Sequence, residues 1–186
     1  MRKNFGAKPI LYPKPVFIIS AYSKDGVANA MNAAWGGLSE ENEISICISP
    51  EHKTTENILH SGAFIVSIAD QENLIAADYV GITSGNDVPN KIEKAGWHTE
   101  KSEFVNAPLI CEVPMALECR LKSYDEEGCL LRGEIVNVNA DERILGEDGK
   151  IDLTKFTPIT YDPVHHRYYK LGEKVGTAFS DGKILK

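Results

Sequence analysis

Strict alternation of side-chain character over residues 43–49 most limits the folds open to this chain. Ile44, Ile46 and Ile48 point to one face of an extended segment, and the intervening serine and cysteine side chains point to the other. This period of two predicts a strand with one buried face. Pro50 ends the segment, because proline cannot donate a backbone hydrogen bond to a neighbouring strand.

Short segments of the same kind recur along the chain. Runs rich in β-branched and aromatic residues predict further strands at 15–22, from 27 into 29–35, at 63–69, 115–124 and 129–139, and shorter extended pieces at 159–161 and 168–171. The predicted helices, at 54–61, 73–79 and 90–95, are too short for the crossovers that join parallel strands. The sequence therefore predicts a mainly β fold, a closed or split barrel of mainly antiparallel strands with short peripheral helices.

Turn signals divide these elements. Thr54 or Thr55 is the predicted cap of the first helix, and Gly62 is its predicted C-terminal stop. Residues 81–90 are dense in turn formers and predict a loop. The Gly-rich tail, residues 172–186, is expected to wrap a neighbouring surface.

Size and charge limit the kind of partner. The chain has 186 residues, of which 42 % are hydrophobic, and this supports a single domain over residues 1–186 with a substantial core. A net charge of −7 argues against a nucleic-acid partner, since phosphate backbones require a basic face. No apolar run approaches the roughly 20 residues of a membrane span, and residues 1–8 lack the apolar region of a secretory signal. We therefore expect a cytoplasmic protein with no membrane partner.

Metal binding is not expected. No two cysteines form a Cys-x-x-Cys pair, and Cys47 and Cys119 lie in apolar segments, which predicts buried free thiols. His165 and His166 are adjacent on an extended piece, so their side chains point to opposite faces.

Two segments carry the residues expected to bind a small molecule. Asn-Ala-Met-Asn-Ala-Ala-Trp at 29–35 follows an apolar strand and combines two amides, small residues and an indole. Ser-Pro-Glu-His-Lys-Thr-Thr at 49–55 ends a strand and brings a cation and hydroxyls to a helix start. Small residues let a flat ring approach the backbone, whereas a cation, hydroxyls and a helix N-terminus suit a phosphate. A flat, phosphorylated cofactor is indicated, with flavin mononucleotide (FMN) as the first candidate.

The order of these and further segments resembles that of a known family. Tyr-Pro-Lys-Pro-Val at 12–16 precedes them, and the segments that follow are Thr-Ser-Gly-Asn-Asp-Val at 83–88, Ala-Pro-Leu-Ile at 107–110 and Gly-Glu-Ile at 133–135. The chain thus resembles the flavin reductase-like proteins that bind FMN in a split β-barrel, and most closely their flavoredoxin-type branch. The resemblance implies an intertwined homodimer with two FMN sites at or near its interface. It also implies electron transfer, commonly from NADH or NADPH, to bound or free flavin or to a redox-protein partner.

The resemblance also implies a set of cofactor-binding residues. They are Asn29, Met31, Asn32, Ala33, Ala34, Trp35, Ser49, Pro50, His52, Lys53, Thr54, Thr55, Ser84 and Lys91. Asn29 is implied as a flavin contact, whereas Asn32 stands where the family often has threonine. Lys91 matches the lysine of the family's Ser-Gly-x-Asp-x-x-Lys pattern after a shift of one residue, which implies a contact with the phosphate or a flavin oxygen.

Each of these residues also has a purely structural interpretation. Asparagines often form turns, and a large indole such as Trp35 often fills a core. Lys53 could be solvated beside a threonine cap, Lys91 could lie on an exposed helix face, and His52 could be a surface neighbour. The sequence alone leaves these alternatives open.

No pattern in the chain indicates a nucleophile or a Ser-His-Asp set, so no catalytic side chain is predicted: the flavin itself accepts hydride at N5. The leading hypothesis is an FMN-binding oxidoreductase of the NAD(P)H:flavin reductase type. The alternatives are a flavin-carrying electron shuttle and a split-barrel module for another ligand, such as heme or pyridoxal phosphate. The chain has no Gly-x-Gly-x-x-Gly fingerprint, so a nicotinamide would have to share the flavin pocket. Some relatives place a histidine near the flavin from the second hairpin strand, whereas residues 129–132 contain none.

Overall fold

One antiparallel sheet of seven strands dominates the computed structural model, which describes all residues from 1 to 186. The strands of the chain are β1 (Phe17–Tyr22), β2 (Ala28–Ala33), β3 (Gly36–Glu40), β4 (Glu43–Cys47), β5 (Ala63–Ile68), β6 (Thr99–Lys101), β7 (Pro108–Ile110), β8 (Met115–Asp125), β9 (Leu130–Ala140), β10 (Ile159–Asp162) and β11 (Arg167–Lys170). The large sheet has the order β2-β1-β5-β8-β9-β4-β3, while β6 pairs with β7 and β10 with β11 in separate ribbons. The mainly β, antiparallel architecture is the predicted one.

Three short helices lie between the strands. They are α1 (Lys53–Ser61), α2 (Leu74–Ile82) and α3 (Lys91–Lys94). Single 3-10 turns occur at Glu142–Ile144 and Asp181–Leu185. None of the helices combines the length and the apolar character that crossing a bilayer requires.

Strand β1 is buried on both faces and separates two hydrophobic clusters. Phe17 and Ile19 pack into a cluster that also contains Phe64 and the three isoleucines of the alternating segment. Ile18, which points the other way, packs with Val80 of α2 and Trp97. The continuous apolar run of β1 is therefore explained by its central position between two cores.

The alternating segment behaves as predicted on its apolar face. Ile44, Ile46 and Ile48 are buried in the first cluster. The prediction that Cys47 is buried is wrong, because its side chain lies on the opposite face of β4 and is exposed. Cys119 is buried, as predicted.

The predicted hairpin is confirmed as β8 and β9, with each strand ending one residue later than predicted. Cys129 lies in the turn rather than in the second strand, with φ of 53°. Within the hairpin, Gly133 pairs with Leu121 of β8 and with Ile44 of β4. A glycine at this position lets the ring of Phe64 lie against the strand.

The start of α1 and the end of α2 differ from prediction in ways that bear on the site. Helix α1 begins at Lys53 after His52, whose side chain makes no capping hydrogen bond, so the threonines lie in the first turn and are not caps. Helix α2 runs to Ile82 and takes up the start of the segment predicted as a loop. Gly62 ends α1 with φ of 68°, as predicted.

Three strands were not predicted separately. Strand β3 follows β2 after a single break at Ala34 and Trp35, and β6 and β7 have three residues each. Runs this short carry too little periodicity to separate a strand from a loop. The tail, residues 172–186, is exposed along its whole length.

Candidate functional site

Three parts of the chain converge at the start of α1. Asn29 of β2 donates a hydrogen bond from Nδ2 to Thr54 Oγ1 over 2.7 Å. Gly85, in the loop between α2 and α3, lies so close that an added Cβ would be 2.2 Å from Asn29 Oδ1 and 3.2 Å from Lys53 Cβ. Asn86 of the same loop donates to the carbonyl of Glu51 over 3.4 Å. The strand, the helix start and the loop thus form one site.

Asn29 is the most informative residue of this site. It is 5 % exposed, and while its Nδ2 is bonded, its Oδ1 has no hydrogen-bond partner in the chain. An unsatisfied buried acceptor costs about 1–3 kcal/mol. Such an atom points to a donor that the chain does not supply, and therefore to a ligand.

The start of α1 offers the electrostatics of an anion site. The helix dipole places partial positive charge at its first turn, and no side chain caps that turn. Lys53 adds a cation there, with its side chain 29 % exposed and its Nζ 2.8 Å from Glu56 Oε1. Because that ion pair is on the surface, it holds Lys53 only weakly and leaves it available to a stronger anion.

The other residues of the segment 49–55 hold the first turn of α1 in place. Thr54 and Thr55 are both buried, and Thr55 Oγ1 donates to the carbonyl of Ser49 over 2.7 Å. This bond ties the segment that follows β4 to the helix. Pro50 and His52 are exposed at the rim.

A small cleft lies beside these groups. Its volume is about 280 Å³, and its lining includes Asn29, Lys53, Asn57 and Gly85. Sequence reasoning missed Asn57, which is buried and donates from Nδ2 to the carbonyl of Ala21 over 3.4 Å. It also missed the part played by Gly85, although its place in the Ser-Gly-x-Asp pattern was the available signal.

Strand β2 divides its predicted site residues between two faces. Met31 and Ala33 lie on the face of Asn29 and pack against the first hydrophobic cluster. Asn32 points to the other face, where its Nδ2 donates to the carbonyl of Ala77 in α2 over 3.1 Å. The structure therefore does not bring the two asparagines together.

Trp35 does not fill the barrel, because 52 % of its surface is exposed. The ammonium of Lys14 lies 3.8 Å from the centroid of its ring, a cation–π contact. Ala34 lies beside it, next to the end of β2. The indole is thus held in place and open to a ligand.

Lys91 and Ser84 lie at the two ends of the loop. Lys91 is 2 % exposed, so the interpretation of an exposed helix face is wrong for it. Its Nζ donates to the carbonyls of Val80 and Thr83, over 2.9 and 2.6 Å, and so ties the end of α2 to α3. Ser84 is exposed and its Oγ accepts from the N–H of Asn86. In this arrangement Lys91 positions the loop, and its contact with a phosphate stays a prediction.

Burial lowers the pKa of Lys91 to about 8. Above that pH the unfolded chain binds more protons than the folded one, so the free energy of unfolding should rise with pH until the ordinary pKa of lysine is reached. We expect a rise of about 2 kcal/mol between about pH 7.5 and 9.5. Urea unfolding at the two pH values measures it. The Lys91→Met variant should lose this rise, and the exposed Lys94→Met variant should keep it; an equal rise in both variants would contradict the assignment.

The two adjacent histidines bind different partners. His165 Nδ1 lies 2.8 Å from Asp162 Oδ2, and His166 Nδ1 lies 2.6 Å from the hydroxyl of Tyr161. Tyr12 also donates to Asp162, and these bonds hold the pKa of Asp162 below its usual range. Both histidines lie in the turn between β10 and β11, so the prediction that they lie on an extended piece is wrong.

Comparison with known families identifies the fold. The flavin reductase like domain family matches residues 10–169. The chain belongs to this family. Flavoredoxin from Desulfovibrio vulgaris (Miyazaki F) is similar in structure with a TM-score of 0.93 and 36 % sequence identity, over 98 % of this chain and 100 % of that chain. Flavoredoxin from Methanosarcina acetivorans is similar with a TM-score of 0.86 and 28 % identity, over 100 % and 98 % of the two chains.

A third solved structure supports the fold alone. It is an FMN-binding domain of a flavin reductases-like enzyme from Shewanella baltica OS155, with a TM-score of 0.79 and 22 % identity over 88 % of this chain and 89 % of that chain. These similarities confirm the predicted split β-barrel fold of the flavin reductase-like family.

The residues of this flavin reductase-like chain fit FMN. The unpartnered Asn29 Oδ1 can accept a hydrogen bond from a polar ligand group. The uncapped start of α1 and Lys53 suit a phosphate. Gly85 lies close to Asn29 and Lys53, and a larger side chain at this position would collide with Asn29.

Proposed function

We propose that this chain is an FMN-dependent oxidoreductase of the NAD(P)H:flavin reductase type. The observation that carries the proposal is the buried, unpartnered oxygen of Asn29 beside the uncapped, cationic start of α1. A polar acceptor and an anion site side by side suit a ligand that carries both a hydrogen-bond donor and a phosphate. Membership of the flavin reductase-like family supports FMN as that ligand.

The residues would share the work of holding FMN. Lys53 and the first-turn N–H groups of α1 would bind the phosphate, and Asn29 would accept a hydrogen bond. Ala34 and Trp35 would lie against the flat ring, since they combine a small residue with an exposed indole. Bound FMN supplies hydride and electron transfer, which no side chain of the site provides. The role of the protein is to orient the cofactor and to set its electrostatic surroundings.

We also propose that the working unit is a homodimer. The tail supports this, because Val175, Phe179, Ile184 and Leu185 are each at least 89 % exposed. Apolar side chains exposed together in this way mark an interaction surface. Light scattering tests the proposal, which a solution mass equal to the 20.5 kDa of one chain would contradict.

A second candidate function is electron transfer by a carrier with little reductase activity of its own. The similarity to flavoredoxin, at 36 % identity over nearly the whole chain, favours it. The absence of a dinucleotide-binding fingerprint favours it as well. In that case the electrons would come from another redox protein.

The visible spectrum of the FMN-loaded protein separates the two functions. NADH or NADPH is added without oxygen, and dithionite is added afterwards. Flavin bands that bleach with the nicotinamide support the reductase. Bands that bleach only with dithionite support the carrier. A protein that takes up no FMN contradicts both.

Replacing Lys53 by alanine should lower the affinity for FMN about tenfold to a hundredfold, because one charge-assisted hydrogen bond is worth about 1.5–3 kcal/mol. Fluorescence titration of the flavin-free protein measures the dissociation constant. Riboflavin, which lacks the phosphate, should bind the variant and the wild type equally.

Lys101→Ala provides a matched control, since Lys101 is exposed at the end of β6 and does not line the cleft that Lys53 lines. Its affinity for FMN should equal that of the wild type. Equal losses for FMN and riboflavin in Lys53→Ala would show that Lys53 does not recognise the phosphate.

A further inference from the structure

An acidic residue lines the cleft that is proposed to hold the FMN phosphate. This cleft of about 280 Å³ beside the start of α1 is lined by Asp25 as well as by Asn29 and Lys53. Asp25 lies in the turn between β1 and β2, and its exposed carboxylate forms neither a hydrogen bond nor an ion pair within the chain. A free carboxylate repels a phosphate, so its place in this cleft calls for a group that attracts both.

The lining of the cleft carries no net charge of its own. Its two charged residues are Lys53 and Asp25, whose charges cancel. The start of α1 adds a partial positive charge of about half an elementary unit, whereas a phosphate monoester brings about −1.5 to −2 at neutral pH. A bound phosphate would therefore leave uncompensated negative charge in the cleft.

The acceptor groups of the cleft suit a hard cation. Asn29 Oδ1 is buried and has no hydrogen-bond partner within the chain. The carboxylate of Asp25 offers two further oxygens without a partner. Mg²⁺ prefers oxygen ligands, and proteins commonly bind it through one or two carboxylates and the phosphate of a ligand, while it keeps several waters. A water on such a cation would supply the hydrogen that Asn29 Oδ1 lacks.

The chain alone supplies too few ligands for this cation. Nowhere in the structure do three or more histidine, cysteine, aspartate or glutamate side chains gather as metal ligands. Asp25 is the one carboxylate in the lining of the cleft. Phosphate oxygens would have to complete the coordination, so the cation and the phosphate would each raise the affinity for the other.

We propose that a divalent cation, Mg²⁺, joins the phosphate of the cofactor to Asp25. The carboxylate would bind the cation directly, phosphate oxygens and waters would complete its shell, and one of the waters would donate to Asn29 Oδ1. Lys53 would bind the phosphate from the side of the helix. The inference rests on the proposed function, because the phosphate of FMN supplies part of the site.

Fluorescence titration of the flavin-free protein with FMN tests the proposal, once in EDTA and once in Mg²⁺ at the same ionic strength. We expect Mg²⁺ to tighten FMN binding about tenfold or more, as the gain of a charge-assisted interaction predicts. Riboflavin, which lacks the phosphate, should bind equally well in both buffers. An equal gain for riboflavin and FMN would overturn the proposal.

The Asp25→Asn variant separates the cation site from a general effect of Mg²⁺. In EDTA this variant should bind FMN at least as tightly as the wild type, because the repulsive charge is gone. In Mg²⁺ it should bind FMN more weakly than the wild type, because the cation has lost its protein ligand. If Asp25→Asn gains as much from Mg²⁺ as the wild type, Asp25 does not hold the cation and the proposal is overturned.

Asp125→Asn is the matched control for the loss of a negative charge. Asp125 is exposed at the end of β8 and does not line the cleft. This variant should gain as much FMN affinity from Mg²⁺ as the wild type.

The outcomes separate this proposal from the proposed function. FMN binding that does not depend on Mg²⁺ overturns the cation site and leaves the proposed function standing. If the protein takes up no FMN in either buffer, the proposed function fails, and calorimetric titration with inorganic phosphate then decides about the cation. Phosphate binding that requires both Mg²⁺ and Asp25 supports the site. Phosphate binding without Mg²⁺, or none in its presence, overturns it.

Discussion

The Gly133→Ala variant is expected to unfold more easily than the wild type by about 1–3 kcal/mol, the usual cost of overpacking a core. An added Cβ at Gly133 would lie 2.3 Å from Cζ and 2.7 Å from Cε1 of Phe64. Phe64 is fully buried in the first hydrophobic cluster, so its ring has no empty space to enter. The strand or the ring must therefore shift. Urea unfolding at neutral pH measures the loss.

A second substitution checks that the ring is the cause. Phe64→Leu removes the atoms that clash, so in the Gly133→Ala background it should cost less than it does in the wild type. Gly37→Ala is the matched control, because Gly37 lies in a strand of the same sheet and an added Cβ there would meet no atom within 4 Å. It should change the stability by no more than about 0.5 kcal/mol. A loss at Gly37 as large as that at Gly133 would show that the backbone conformation of the sheet disfavours alanine at both positions, and that the contact with Phe64 is not the cause.

The contact between Gly133 and Phe64 also shows what the sequence could predict about the fold. The alternation of Ile44, Ile46 and Ile48 was enough to place a strand and its buried face, because a period of two is a local property. The family resemblance drew attention to Gly133. That its partner is Phe64, on a different strand of the sheet, depends on strand order, which no local pattern contains.

The exposure of Cys47 also depends on the arrangement of the strands and not on a local sequence pattern. Cys47 alternates with the isoleucines, and its apolar neighbours suggested burial. Which faces of a strand are covered depends on the layers packed on each side. The outer face of β4 near Cys47 lines a surface cleft together with Ala34 and Trp35. Strand β1, by contrast, is covered on both faces.

The candidate site was predictable in its chemistry more than in its geometry. A cation and hydroxyls at a helix start follow directly from the segment 49–55, and the structure places Lys53 there. The part taken by Asn29 needed the fold, since its partner Thr54 is 25 positions away in the chain. Lys91 shows what sequence analysis could not predict about the site. The sequence shows a lysine after a loop, but only the fold shows that its ammonium donates to carbonyls at the end of α2.

The position of Trp35 in the chain explains why it is exposed. Its ring lines a surface cleft together with Lys14 and Ala34. Ala34 and Trp35 lie where β2 breaks before β3, so this junction faces neither core. An indole that would stabilise a core is instead left half-exposed, which is consistent with a ligand surface rather than a packing role.

The Gly85→Ala variant is expected to lose affinity for FMN by about a hundredfold or more. The added Cβ would lie 2.2 Å from Asn29 Oδ1, 2.9 Å from Asn29 Cγ and 3.2 Å from Lys53 Cβ, so both residues must move or the loop must withdraw. Turning Asn29 away would break its 2.7 Å bond to Thr54 and occupy the cleft. Two interactions with FMN of about 1.5 kcal/mol each would be lost, and about 3 kcal/mol corresponds to a factor of more than a hundred.

Fluorescence titration of Gly85→Ala with FMN measures this loss. The fold should stay intact, because the loop is largely exposed and contributes little to either core, and thermal unfolding should confirm it. Asp87→Ala is the matched control in the same loop, since the side chain of Asp87 is exposed and forms no hydrogen bond or ion pair. It should bind FMN like the wild type. If Gly85→Ala and Asp87→Ala bind FMN equally well, the cofactor does not occupy the cleft beside Asn29, and the phosphate site must be sought elsewhere on the chain.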